Sequence, residues 1–174
     1  MRAGFAFAGL LLCVGAALSH DGKHGGSHGD QTSTLGQRWD FTLPTLDGSR
    51  FVQASALRGP VLVNFWGRDC APCITELPRL EAFAQANPGW TVLLISTDPP
   101  IVANEFVQRH GVQLTVLRPG ANVAALMRSA GNRNGGLPYT LALNDTRVCA
   151  SQQGELDTQA LRRIATACVP PGRP

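Results

Sequence analysis

Apolar residues fall along the chain in short blocks whose spacing switches between strand and helix. Val61-Leu62-Val63-Asn64-Phe65-Trp66 and Trp90 to Ser96 are near-continuous apolar runs, the pattern of strands buried on both faces. After the first run, Ile74, Leu77, Leu80, Phe83 and Ala84 recur at helical spacing. Pro100 to His110 carries Val102, Phe106 and Val107 on one helical face before Gly111 ends it. Val112 to Leu117 reads as a short strand and Asn122 to Met127 as a short helix. Tyr139 to Leu143 and Arg147 to Ala150 read as strands joined by Asn144-Asp145-Thr146, and Asp157 caps a last helix through Leu161 and Ile164. Upstream, Phe41-Thr42-Leu43 and Arg50-Phe51-Val52 flank the turn signal Asp47-Gly48, which predicts a small hairpin. The order predicts one α/β domain over residues 38–174: a mixed central sheet flanked by helices on both faces, with an N-terminal β-hairpin.

The first 37 residues follow neither period. Met1-Arg2 and the uninterrupted apolar or small run from Ala3 to Leu18 read as a secretory signal peptide, 1–19. The run is shorter than the ~20 residues a membrane-spanning helix needs. Small residues near its end favour cleavage, after Ala17 or Ser19, over an uncleaved anchor. A lipidated Cys13 is disfavoured because Leu12 stands where a small residue belongs. Residues 20–37 hold three histidines, five glycines and one clear hydrophobe, Leu35, so they are expected to form a disordered linker. The spacing of His20, His24 and His28 allows a weaker metal reading, in which a new N-terminus places His20 first or third for copper or nickel. A spacer with incidental histidines is the preferred reading.

Composition narrows the class further. At 174 residues, 44% apolar and 16% charged, the chain suits one packed domain. A formal charge of +3 without a basic run gives no argument for nucleic acid. Export would remove Cys13 and leave Cys70, Cys73, Cys149 and Cys168, an even number that suggests two pairs in an oxidising compartment.

The chemistry concentrates in Trp66-Gly67-Arg68-Asp69-Cys70-Ala71-Pro72-Cys73, between a buried strand and a helix. Free N–H groups at a helix start stabilise a thiolate, the reactive form of cysteine. Two intervening residues let Cys73 resolve a mixed disulfide on Cys70, and Pro72 is tolerated in the first turn. Zinc would need a second ligand pair, and haem attachment a histidine where Ile74 stands. A purely structural disulfide remains the weaker alternative. No cofactor is expected.

With these residues in place the chain resembles the thioredoxin superfamily, specifically periplasmic reductases similar to TlpA and ResA. The resemblance rests on Phe41-Thr42-Leu43-Pro44, Val63-Asn64-Phe65-Trp66, Cys70-Ala71-Pro72-Cys73-Ile74-Thr75-Glu76-Leu77-Pro78 and Gly135-Gly136-Leu137-Pro138-Tyr139-Thr140. It implies a thioredoxin-like fold, a cis Pro138 beside the cysteines, and Leu137 offering backbone groups to an extended substrate. Trp66 and Asp69 are expected to line the same substrate face. Thioredoxin's buried aspartate is replaced by Asn64, and Glu76 matches the acidic residue of the TlpA/ResA group, a candidate proton handler for Cys73. Asp69 departs from the family's tryptophan, and its carboxylate is expected to disfavour the Cys70 thiolate, with Arg68 offsetting part of that effect.

The resemblance further implies a reductase of disulfides in exported proteins, with apocytochromes or copper-site cysteines among the candidate substrates. A membrane thiol donor of DsbD/CcdA type would recharge it, and the protein is expected to be monomeric. Cys149 and Cys168, on the last strand and near the end of the last helix, are expected to bridge. Closing this ~20-residue segment would contribute about 3 kcal/mol; free thiols or a second redox pair are the alternatives. Two further classes stand as alternatives. A copper-delivery protein similar to Sco would need wider cysteine spacing and a ligand histidine, whereas His110 is the only histidine in the predicted domain. A peroxiredoxin would need threonine where Gly67 stands.

Overall fold

The computed structural model describes residues 34–169 together with residue 1. The expected leader, most of the linker, and His20, His24 and His28 with their metal reading lie outside the described residues. Strands β1 (Thr42–Pro44) and β2 (Phe51–Gln53) form a two-stranded antiparallel hairpin. There follow β3 (Val61–Trp66), α1 (Ala71–Ala86), β4 (Thr91–Ser96), α2 (Pro100–His110), β5 (Thr115–Leu117), α3 (Val123–Ser129), β6 (Tyr139–Asn144), β7 (Arg147–Gln153) and α4 (Thr158–Cys168). The main sheet runs β5-β4-β3-β6-β7, with β3, β4 and β5 parallel and β6 and β7 antiparallel to their neighbours.

The alternation of side chains along β3 explains the two layers. Val61, Val63 and Phe65 enter a core with Trp39, Phe41, Leu43, Leu141 and Met127 of α3. Leu62 and Trp66 enter the opposite core with residues of α1, α2 and α4. Successive right-handed crossovers from β3 to β4 to β5 place α1 and α2 on the same face. The other face is closed by α3 and the N-terminal segment. All six β3 residues are buried, so the strand that leads into the Cys70 loop is held on both sides.

Residues 34–37, which composition assigns to the linker, belong to the fold. Gly36 N–H donates to the Val148 carbonyl at 2.7 Å, and Val148 N–H donates to Gln37 at 2.9 Å. Arg38 forms an antiparallel bridge with Arg147. Backbone pairing along the edge of β7 needs no apolar side chains, so composition carries no sign of it.

One irregularity in β7 matters below. Ala150 pairs with Ala142 and Val148 with Leu143, which leaves Cys149 as an extra residue in a β-bulge. Val148 therefore enters the α3-side core, whereas Cys149 and Ala150 both pack on the α4 side.

Leu141 is fully buried on β6 at the centre of the sheet. Leu141→Ala is expected to lower stability by about 2–5 kcal/mol. Urea unfolding should show a lower midpoint with unchanged slope.

Candidate active site

The chain leaves β3 at Trp66 and makes a short loop before α1. The loop is tied to the end of β4: Thr97 N–H donates to the Trp66 carbonyl at 2.8 Å, and Arg68 N–H donates to Asp98 Oδ2 at 2.7 Å. Gly67 is needed here for space, because a Cβ would meet Thr97 Oγ1 at 2.9 Å and Leu137 Cδ1 at 3.6 Å. Cys70 is the N-cap of α1, and its Sγ accepts the Cys73 N–H at 3.3 Å. The two sulfurs are joined as a disulfide. Cys70 is half-buried while Cys73 has no exposure, so an incoming sulfur reaches the pair at Cys70. The Cys73 N–H on this sulfur and the positive end of the α1 dipole favour negative charge there once the bond opens.

One turn beyond Cys73, Glu76 is also fully buried. Its Oε1 accepts from Asn64 Nδ2 at 2.6 Å and its Oε2 from Leu156 N–H at 2.7 Å. Asn64 Nδ2 also donates to Thr140 Oγ1 at 3.0 Å, so the carboxyl is linked to both central strands, β3 and β6. Burial pushes the Glu76 carboxyl above its ordinary value, against the downward pull of the Leu156 and Asn64 hydrogen bonds; Glu155 adds to the rise and Arg79 opposes it. Asn64 Oδ1 is buried and has no hydrogen-bond partner among the described residues.

The remaining residues divide clearly. The Leu137–Pro138 peptide is cis, Pro138 is buried and Leu137 half-buried. Leu137 packs in the same cluster as Cys70, and its backbone N–H and carbonyl have no partner among the described residues. Asp69 is exposed and pairs with Arg68 Nε at 3.4 Å, away from any buried position. Trp66, expected on the substrate face, is instead fully buried against Phe106 with ring centroids 5.1 Å apart. The β3 alternation that points Leu62 beneath the helices also points Trp66 there, so it packs the core and cannot touch a substrate. Cys149 and Cys168 are joined across β7 and α4. His110 stacks on Phe106 at 4.2 Å, and no metal-binding cluster of His, Cys, Asp or Glu occurs among the described residues.

Sequence reasoning missed Asp98, Thr140 and Leu156. Thr97-Asp98-Pro99-Pro100 carried a turn signal after a strand that could have flagged Asp98. Leu156 acts through its backbone, which leaves no trace in side-chain type.

The raised Glu76 value has a stability consequence. Below the ordinary glutamate value both folded and unfolded chains are protonated there, and the contribution is fully present. Between the ordinary and the raised value the folded state holds more protons, so stability falls as pH rises through that window. Glu76→Gln should remove that decline, read as thermal midpoints across pH that no longer fall in the window.

The profile of the AhpC/TSA family matches residues 36–162. The soluble secreted antigen MPT53 of Mycobacterium tuberculosis is 34% identical over 88 residues, 50% of this chain and 51% of that protein. The thiol-disulfide oxidoreductase ResA of Halalkalibacterium halodurans is 30% identical over 114 residues, 63% of this chain and 61% of its own. The chain thus spans about half the length of the curated relatives it matches first. Among solved structures, one assigned as a thiol:disulfide interchange protein DsbE from Chlorobium tepidum superposes with a TM-score of 0.67 at 22% identity. That match covers 77% of this chain and 96% of the other, and shows the same fold.

Proposed function

The chain belongs to the AhpC/TSA family, and from that premise we propose that it is a thiol–disulfide oxidoreductase of the TlpA/ResA-like group of the thioredoxin superfamily, reducing disulfides in exported proteins. The observation that carries the reading is the Cys70–Cys73 pair at a helix start, one sulfur reachable and the other buried beside a buried carboxyl.

In the reduced enzyme, the Cys70 thiolate attacks one sulfur of the substrate disulfide and the other substrate sulfur leaves as a thiolate. Cys73 then attacks Cys70 Sγ, expelling the second substrate sulfur and closing the Cys70–Cys73 bond. Two electrons pass to the substrate, which gains two thiols. Glu76 takes the Cys73 proton as that sulfur becomes a nucleophile and passes it on to a leaving substrate thiolate. The raised proton affinity of Glu76 suits this exchange. Leu137 offers its N–H and carbonyl, unpartnered among the described residues, to an extended substrate segment beside Cys70.

The cycle requires an external source of two electrons, for which a membrane thiol donor of DsbD/CcdA type is the proposed partner. An exported protein released from its leader into the periplasm fits the leader pattern and the secreted MPT53 relative. A monomeric state, and apocytochrome or copper-site cysteines among the substrates, follow only from the likeness to TlpA and ResA. Gly67 weighs against a peroxidase: the threonine that chemistry uses would bring its Cβ to 2.9 Å from Thr97 Oγ1.

Cys73→Ala should hold substrates as mixed disulfides on Cys70, identified by mass spectrometry of periplasmic extracts. Cys70→Ser should abolish both trapping and insulin-disulfide reduction. A Cys73→Ala protein that captures nothing, although its Cys70 reacts with a model disulfide, would overturn the proposed reductase role.

A further inference from the structure

The turn between β7 and α4 touches the site at three points. Gly154 N–H donates to the Pro138 carbonyl at 2.9 Å, and Gln153 Nε2 donates to the same oxygen at 3.1 Å. Two residues on, Leu156 N–H holds Glu76 Oε2. Leu156 has no exposure and shares a core cluster with Cys73 and Cys168. From the α1 side, Arg79 pairs with Glu155 and donates to the Leu156 carbonyl at 3.2 Å. Residues 153–156 thus form a strap under the site that meets both the Pro138 segment and the buried acid.

The strap lies within the loop closed by the Cys149–Cys168 bond, which spans 19 positions from β7 to the end of α4. The β-bulge puts Cys149 on the α4 side, where it can meet Cys168. Asn144 Nδ2 donates to the Cys168 carbonyl at 2.9 Å, which pins the far end to β6. A bridge needed for stability alone could close any loop; this one closes the loop whose backbone donors set the site.

We propose that the strap is a positioning element for the redox centre, with the Cys149–Cys168 bridge holding Leu156 N–H against Glu76 and Gly154 N–H against Pro138. This deepens the proposed function, since it takes Cys70–Cys73 as the redox pair and Glu76 as its acid. The groups facing Glu76 are Asn64 from β3, Leu156 and Glu155 from the strap, and Arg79 from its own helix. Of these, Leu156 and Glu155 lie within the bridged loop and Arg79 is tied to both. Loosening the strap withdraws a donor from the carboxylate, so the proton is held more tightly.

The test is the pH profile of insulin-disulfide reduction by the full chain, comparing wild type with Cys149→Ala/Cys168→Ala. The acid limb governed by Glu76 should move up by about one pH unit, a tenfold change in proton affinity, since a hydrogen bond to a charged group is weakened. A bridge that is structural only would lower the thermal midpoint and leave the limb in place, which would overturn the proposal. Because the double variant can fail to fold, Arg79→Gln serves with the bridge intact. Its limb should shift the same way and keep the shift in molar salt, where loss of a half-exposed charge alone is screened. A shift that vanishes in salt would overturn the proposal too. Wild-type protein with no insulin-reducing activity would count against the proposed function itself, whereas an active wild type with unmoved limbs in both variants would count against the strap alone.

Discussion

Placing a carboxyl group in the interior, one helical turn beneath a buried sulfur, is the constraint around which the rest of this site is arranged. Glu76 has no exposure, and an uncompensated carboxylate there would cost several kcal/mol. Each oxygen is met by one donor, Asn64 Nδ2 and Leu156 N–H, from elements far apart in the chain. Two donors reduce the cost of ionisation without removing it, and burial remains the largest influence on the group. The result is a fully buried carboxyl, held at both oxygens and raised in proton affinity, on the helix that begins with the two cysteines.

The same constraint explains features that otherwise look unrelated. Asparagine at position 64 supplies an N–H where a second carboxylate would repel Glu76, and Thr140 accepts its other proton. Fixing the Leu156 N–H requires a firm turn after β7, which the Arg79–Glu155 pair and the Cys149–Cys168 bridge provide. Exposed ion pairs contribute little on their own. Arg79 matters here because it also donates to the Leu156 carbonyl. The loop before Cys70 is held separately, by Asp98 on one side and by the absence of a side chain at Gly67 on the other.

Much of this was legible in the chain. The strand-to-helix switch around Cys70 and Cys73 located the bonded cysteine pair, and Glu76 stands one turn further along the same helix, buried as Cys73 is. The central strands and the four α-helices of the described residues followed from apolar spacing, because each buries a face that must be apolar. What stayed hidden was tertiary or carried by backbone. Leu156 contributes an N–H that any residue but proline would supply, and residues 34–37 join the edge of β7 through main-chain bonds. Trp66 was misplaced because its nearness to the cysteines in sequence outweighed the two-residue alternation that turns it into the core. The Cys149–Cys168 bridge was expected from the places of the two cysteines, but the bulge that turns Cys149 toward α4 left no composition signal.

The most direct measurement is a carbon-13 NMR titration of the Glu76 side-chain carboxyl in the oxidised protein, assigned with Glu76→Gln. The account predicts a midpoint clearly above the ordinary glutamate value, with the Leu156 amide proton shifting along the same curve. A midpoint at or below that ordinary value, or a Leu156 amide indifferent to it, would contradict the buried, doubly held carboxyl on which the account rests.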